Sequence, residues 1–298
     1  MKVIGILPFK NEERFLPTYL SNVQPVCDEI IAIDDHSTDN SRQIMEDAGV
    51  IVKGYDDTEK LKGGWTCGLI RQHLFNYARE AGGTHFVCLD ADETFTSNFV
   101  PIARDIMSQL EPGEKVHMQW LALWKSYTAY RDDHTVWSRN FKDFIVADHP
   151  DLDYSYNYMC EGRTIGPNNN DTLRTLEVEH GGVLHYQFAC FNNFLLKQAW
   201  CQVGELVQQG PGALGAINNK YSICYQDQNV GMRDMPADWI EGIPEPPVPN
   251  FDPEWKEENF LRKNLLPDIY RHFDEYGVEY FRGLNIWQIP QLNERLNG

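Results

Sequence analysis

The stretch Thr84-His85-Phe86-Val87-Cys88-Leu89-Asp90-Ala91-Asp92-Glu93-Thr94 decides the reading of this chain. Its first six residues form an apolar run of the kind that makes a strand buried within an α/β sheet. Open sheets of that class bind ligands beyond the carboxyl ends of their strands, where Asp90 and Asp92 fall. Two carboxylates one residue apart repel each other unless they share a cation. Hard divalent ions take carboxylate oxygens and keep further positions for substrate phosphates. The stretch predicts a metal–diphosphate site.

The residues upstream supply the frame. Met1 to Glu13 reads as a strand, a turn and the start of a helix that runs through Leu16 and Leu20. Glu29 to Ser41 is a second strand ending in the acidic turn that contains Asp34, Asp35 and Asp39. Asp39 is placed to N-cap a helix over Ser41 to Ala48. Val50-Ile51-Val52 is a short third strand, and a helix near Trp65 to Ala81 leads into the strand before Asp90. Strands alternating with helices at this spacing imply right-handed βαβ units and a mostly parallel sheet.

Three segments carry a resemblance. Pro8-Phe9-Lys10-Asn11-Glu12, Asp34 to Ser41, and Leu89-Asp90-Ala91-Asp92-Glu93 resemble, in order, the motifs of family 2 glycosyltransferases of the GT-A fold, over roughly residues 1 to 125. Gly181 to Phe188, followed by Lys197-Gln198-Ala199-Trp200, is similar to the C-terminal half of some of these enzymes. The resemblance implies an α/β, Rossmann-like GT-A sheet that transfers a hexosyl or deoxyhexosyl group from a nucleotide-sugar donor, UDP by family habit. The acceptor would be a glycan or other hydroxyl, and the cofactor Mn²⁺ or Mg²⁺. On the family pattern Asp92 holds the metal, while Asp90 faces the ribose or shares the ion. A late histidine, His185, completes the coordination, unless it is simply a core histidine.

The same pattern implies that Pro8, Asn11 and Glu12 shape the nucleotide pocket; Asn11 and Glu12 equally suit the cap of the first helix. Asp35 would accept from a base edge, or else it caps its own turn. Arg71 meets the nucleotide or forms a surface salt bridge. Lys197 neutralises the leaving diphosphate or is merely solvated. Inversion by direct displacement also requires a carboxylate that takes the acceptor's proton. Glu161, in Met159-Cys160-Glu161-Gly162-Arg163, falls where similar sequences often carry a His-Glu pair, although Cys160 replaces that His here. Asp148, Asp153 and Glu179 are the alternatives. Trp120, Trp124, Tyr127, Tyr154, Tyr156 and Tyr158 could stack on sugar rings or belong to the core.

Composition sets outer limits. The chain has 298 residues, 42% hydrophobic and 23% charged, which suits a sizeable core. A net charge of −18 argues against a nucleic-acid or anionic-membrane partner. The seven cysteines (Cys27, Cys67, Cys88, Cys160, Cys190, Cys201 and Cys224) include no Cys-x-x-Cys pair, so reduced buried thiols are expected. No run approaches the ~20 apolar residues of a membrane span, and the Val3 to Leu7 run is unlike a signal peptide. A soluble, cytoplasmic protein is the expectation.

Further along, Lys115 to Leu123 alternates as a strand does, and Trp137 to Ala147 is expected to form part of a hairpin. Asp148 to Asp171 reads as a long functional loop. Phe194 to Val207 has helical spacing. Pro236 to Pro253 reads as an extended connector that excludes helix, and a helix begins near Asp252-Pro253-Glu254-Trp255. The expected organisation is a catalytic domain over 1–235, split into a nucleotide-sugar half (1–125) and an acceptor half (126–235), then a connector and helical extension over 236–298. Two rival functions fit parts of the chain. Asp90-Ala91-Asp92-Glu93-Thr94 also matches the nucleophile motif of haloacid-dehalogenase-like phosphatases, in which Asp90 would attack phosphorus. That motif normally follows the first strand of its fold. The other rival is a catalytically silent carbohydrate-binding protein on the same fold.

Overall fold

β1 (Val3–Phe9) forms because a run of Val, Ile and Leu alternates its side chains between two covered faces. The computed structural model describes residues 1–54, 67–135, 137–152, 164, 172–189, 191–225, 231–246 and 260–297. In chain order the elements after β1 are α1 (Leu16–Val23), β2 (Glu29–Asp34), α2 (Ser41–Asp47), β3 (Ile51–Lys53), α3 (Cys67–Glu80), β4 (His85–Val87) and β5 (Glu93–Phe95). Then follow α4 (Ala103–Met107), β6 (Lys115–Ala122), β7 (Ala129–Arg131), β8 (Phe141–Ala147), β9 (Leu173–Thr175) and β10 (Val183–His185). The last are α5 (Phe191–Gln209), α6 (Leu214–Tyr225), β11 (Met232–Asp234), α7 (Ala237–Ile240), α8 (Phe260–Tyr276), α9 (Val278–Phe281) and α10 (Pro290–Asn297).

Among the described residues, nine strands make one mixed sheet in the order β3-β2-β1-β4-β8-β6-β10-β5, with β9 also paired to β6. β1 is parallel to both β2 and β4, and β2 is parallel to β3. β8 runs antiparallel between β4 and β6, while β9 and β10 are parallel to β6. β5 is antiparallel to β10. The directions therefore alternate so that β4, β6 and β10 all point the same way. Their carboxyl ends share one edge, and that edge carries Asp90 and His185.

The alternation of β1 explains the two cores. Val3, Leu7 and Phe9 face Leu16, Tyr19 and Val23 of α1 together with Phe95 and Phe99. Ile4 and Ile6 face the other way, onto Ile70, Leu74, Phe75 and Ala78 of α3. Burial of each such side chain is worth ~1.5–3 kcal/mol, so the helices flanking the sheet are held by these faces. Chain entry to β10 depends on Gly181, whose φ of +147° suits glycine and where a Cβ would sit 2.6 Å from Phe99 Cβ.

The chain divides into two compact units. One comprises residues 1–123, 127–186 and 233–248 and contains the sheet; the other comprises 124–126, 187–232 and 249–298 and is helical. Within the helical unit α5 packs on α6 and α8, and Trp200 Nε1–H of α5 donates to Asp268 Oδ2 of α8 at 2.6 Å. Phe273 meets Phe281 at 5.2 Å between ring centroids. Among the described residues no helix is long and apolar enough to cross a membrane.

The strands expected at residues 115–123 and within 137–147 are β6 and β8, an antiparallel pair. Two expectations need correction. The cap residue of α2 is Asn40, not Asp39, although Asp39 Oδ1 does accept from Ser41 N–H at 2.9 Å, one position early. The proline-rich stretch from Pro236 is not wholly extended: Ala237–Ile240 forms the short helix α7, with Pro236 at its N-cap. Proline excludes helix after itself only when its ring must sit inside one; at a helix start its fixed φ and missing N–H cost nothing. The helix start expected at Asp252 lies outside the described residues.

Candidate active site

Asn11 is the residue that joins the first two motifs. It sits in the left-handed region, at φ +56°, just past β1. Asparagine tolerates that conformation because its short amide can bond locally. Its Oδ1 accepts from Thr38 N–H at 2.6 Å and from Asp39 N–H at 3.2 Å, and its own N–H donates to Ser37 Oγ at 2.9 Å. Glu12 N–H donates to Ser41 Oγ at 2.7 Å, and the Glu12 carbonyl accepts from Phe15 and Leu16 as α1 begins. The turn after β2 is thus pinned to the turn after β1. Asp35 stands beside it, partly exposed, with Lys10 Nζ 3.4 Å from its Oδ2. Pro8 is half-buried opposite Ile33.

The acidic turn after β4 is closed on itself. Glu93 N–H donates to the Asp90 carbonyl at 3.1 Å, while Asp90 N–H donates to Glu93 Oε2 at 2.8 Å. Glu93 is fully buried, and its other oxygen, Oε1, accepts from Trp120 Nε1–H at 2.6 Å. A buried carboxylate persists only when hydrogen bonds replace its water, and these two do so. Asn22 of α1 clamps the next residues: its amide donates to and accepts from the Phe95 backbone at 3.0 and 2.8 Å. Arg71, only 3% exposed on α3, donates from Nη2 to Asp90 Oδ1 at 2.6 Å. The pair joins a buried guanidinium to a partly exposed carboxylate.

His185 closes the cluster. The register pairs His185 with Glu93 across β10 and β5, which sets the two side chains next to one another. His185 Nε2 lies 3.3 Å from Asp92 Oδ2. Tyr186 N–H donates to the Asp92 carbonyl at 2.9 Å, fixing the turn against the strand end. Asp92, Glu93 and His185 each offer a ligand atom, and these atoms all lie within 4.8 Å of one another; this is the group of its kind among the described residues. The donor set fits a divalent ion. Two cis ligands ~2.1 Å from such an ion stand about 3 Å apart, close to the Asp92–His185 separation. A mixed carboxylate and imidazole set suits Mn²⁺ better than Mg²⁺. Asp90, expected among the ligands, is not in this group; its Oδ1 accepts from Arg71 Nη2.

The remaining expected residues are dispersed. Asp148 N–H donates to the Thr84 carbonyl at the amino end of β4, and its carboxylate takes Arg79 Nε and Nη2 at 2.9 and 2.8 Å. Asp148 therefore lies at the opposite end of β4 from Asp90. Glu179 is exposed at the amino end of β10, away from His185, with its carbonyl accepting from Asn98 Nδ2 at 3.0 Å. Lys197 is half-buried on α5 of the helical unit. Trp124 is a core residue of that unit, with Phe194 at 5.6 Å, and Tyr127 stands 5.9 Å from Tyr186 in the sheet unit. Glu161, Asp153, Tyr154, Tyr156 and Tyr158 lie outside the described residues. Glu93 and Trp120 are the participants whose role the sequence did not reveal. The signal for Glu93 was an acid at the first position of the short buried strand Glu93-Thr94-Phe95.

The architecture and this edge define a class. Residues 6–113 match the family model described as Glycosyl transferase family 2, and this segment contains both turns and the Asp90–Glu93 motif. This segment, with its mostly parallel α/β sheet, is the part of the chain that resembles family 2 glycosyltransferases of the GT-A fold. The topology also separates it from the phosphatase reading, because Asp90 follows the fourth strand in chain order. Among solved structures, the chain is similar to a mycobacterial protein at 20% identity, over 41% of each chain, with a TM-score of 0.32. It is also similar to glucosyl-3-phosphoglycerate synthase from Mycobacterium tuberculosis in complex with Mn²⁺ and UDP-glucose, at 20% identity over 41% of this chain and 43% of that one, TM-score 0.30. The same synthase with Mn²⁺, UDP-glucose and phosphoglyceric acid gives 20%, 41%, 44% and 0.30. The matches span about two-fifths of the length of these structures. No curated protein matches the chain in sequence.

Proposed function

We propose that the protein is a metal-dependent, inverting glycosyltransferase that moves a hexosyl or deoxyhexosyl group from a nucleoside diphosphate donor to a hydroxyl of a glycan or other acceptor. UDP is the nucleotide the family habit implies. The observation that carries this reading is the meeting of Asp92 and His185, 3.3 Å apart at the carboxyl edge, beside the Arg71–Asp90 pair. Asp92 and His185 would hold Mn²⁺ or Mg²⁺, with Glu93 bracing them from the buried side. When bound, the ion supplies Lewis-acid stabilisation of the departing diphosphate.

The chain's own residues do the rest. Arg71 orients Asp90 so that its second oxygen is presented to the ribose hydroxyls. Asp35, in the turn pinned by Asn11, accepts from a base N–H, and Pro8 and Glu12 frame that pocket. Glu161 takes the acceptor's proton, with Asp153 as the alternative; Asp148 lies at the amino end of β4 and Glu179 at the amino end of β10. The test is a panel of nucleotide sugars assayed for release of the nucleoside diphosphate with and without Mn²⁺ or Mg²⁺. Metal-dependent release supports the proposal. Cleavage of phosphate monoesters instead would return the role of nucleophile to Asp90, and neither activity would leave a silent carbohydrate-binding protein.

A further inference from the structure

We propose that Trp120 is a positioning residue of this site: its indole holds His185 against Asp92 and ties it to Glu93, so that the ion-binding geometry exists before the ion arrives. The inference rests on the reading of Asp92 and His185 as ion ligands. It begins with strand register. Trp120 of β6 pairs with Val183 of β10, and Ala122 pairs with His185. Paired residues of neighbouring strands point to the same face, and residues two apart on a strand do as well. Trp120, His185 and Glu93 consequently share one face of the sheet. Directly beside His185 stands Ala122, whose small side chain leaves the imidazole room to lean over the indole.

The contacts follow that layout. The imidazole of His185 stacks on the Trp120 ring with centroids 4.1 Å apart and planes 17° from parallel. Lys142 Nζ stands 3.9 Å from the same ring centroid. A nearly parallel ring at 4.1 Å already fills one face, so the ammonium occupies the other, a favourable place for a cation. The indole edge donates Nε1–H to Glu93 Oε1 at 2.6 Å. The ring is thereby fixed on both faces and at its edge. Through those contacts one side chain sets the plane of the imidazole and the carboxylate of the buried Glu93. Partners that orient metal ligands in this way typically change metal affinity 10–100-fold when removed. Leucine would lose both the stacking and the N–H, whereas phenylalanine would keep an aromatic face and lose only the tie to Glu93.

The probe is Mn²⁺ alone, titrated into the full chain by calorimetry and by the paramagnetic resonance of the free ion. Trp120→Leu is expected to weaken Mn²⁺ binding roughly 10–100-fold and Trp120→Phe by a smaller factor, so that the aromatic variant partly rescues the aliphatic one. A second readout needs no metal. In proton NMR the ring signals of His185, assigned through His185→Ala, should lie upfield from the indole ring current in the wild type, stay partly shifted in Trp120→Phe and return to ordinary positions in Trp120→Leu. Wild-type Mn²⁺ affinity in Trp120→Leu, in a protein that itself binds Mn²⁺, overturns the positioning role and leaves the metal reading standing. Absence of Mn²⁺ binding by the wild type overturns both. If Trp120→Leu does not fold, Trp120→Phe decides: a several-fold loss supports the role, and unchanged affinity overturns it.

Discussion

Asp92 Oδ2 and His185 Nε2 stand 3.3 Å apart, although one lies in the turn after β4 and the other ends β10. Both side chains are nearly buried, so little water is available to compensate a charge there. A shared cation answers that problem, and it predicts a specific pattern of loss. Asp92→Asn should abolish measurable Mn²⁺ binding and reduce glycosyl transfer by about a hundredfold or more, because a charged oxygen ligand that helps neutralise the leaving group is gone. Circular dichroism and the unfolding midpoint should stay close to wild type. Retention of metal-stimulated turnover in this variant would remove the central premise of the proposed function.

Arg71 and Asp90 make an asymmetric pair. The guanidinium is 3% exposed and the carboxylate side chain 31% exposed. Removing Asp90 deprives a buried charge of its ion partner, whereas removing Arg71 leaves a carboxylate that water can reach. Breaking a buried pair from the buried side's point of view costs about 3 kcal/mol or more. Asp90→Ala should therefore destabilise the fold by roughly that amount, and Arg71→Met by about half of it. Urea unfolding of the two variants checks the order, and equal losses would contradict the assignment of burial to the arginine.

How much of this edge was legible depended on distance along the chain. The alternation of strands and helices up to Asp90, and the placing of Asp90 and Asp92 at a strand end, follow from local patterns that any α/β sheet imposes. The partner of Glu93 does not. Trp120 reaches it only because β8 reverses between β4 and β6 and β10 then lies beside β6. Asp148 looked equivalent to other loop acids because sequence does not state which end of the sheet a loop occupies; the antiparallel direction of β8 puts it at the amino end of β4. The short helix α7 was hidden by its proline surroundings, where one turn fits between breakers.

Asn11 offers a test of how the nucleotide turns are held. Its positive φ and its bonds to Thr38 and Asp39 are separable contributions. Asn11→Gly keeps the backbone freedom and loses the acceptor. Asn11→Ala loses both, and an alanine in the left-handed region costs a further ~1–2 kcal/mol. Leaving the amide donors of the turn without that acceptor costs about 1–3 kcal/mol in either variant. The expected order in thermal or urea unfolding is wild type, then Asn11→Gly, then Asn11→Ala, with about 1 kcal/mol between the variants. An alanine variant as stable as the glycine one would show that the strain is not borne here.

A pH dependence is expected from the helical unit. Burial pushes the Asp268 carboxyl upward, but the Trp200 indole N–H and the neighbouring Arg271 outweigh it and hold the group below the ordinary carboxylate value. A carboxyl whose folded value is depressed stabilises the fold above its unfolded value, about 3.9, and loses that contribution as pH falls through the folded value. The stability difference between wild type and Asp268→Asn should therefore be constant from neutral pH to about 5 and shrink below about 4. Denaturant titrations across that range measure it. A difference that instead grows on acidification would reverse the sign of the interaction between Trp200 and Asp268.

The assignment of the base makes the sharpest contrast between substitutions. Asp148 is held by two hydrogen bonds from Arg79 at the amino end of β4, so Asp148→Asn should lower stability and leave transfer near wild type. Glu179 is exposed at the amino end of β10, and Glu179→Gln should change neither. Glu161→Gln keeps the size and hydrogen-bonding reach of the side chain but cannot take a proton near neutral pH. Transfer to acceptor should fall by roughly a hundredfold or more, while UDP and Mn²⁺ bind as in the wild type, because Asp92, His185 and the pinned turns are untouched. Calorimetry of UDP binding beside a transfer assay separates the two effects. If Glu161→Gln transfers normally, Asp153→Asn becomes the deciding variant. Activity in both would mean that neither Glu161 nor Asp153 takes the proton, and the assignment of the base to either would have to be abandoned.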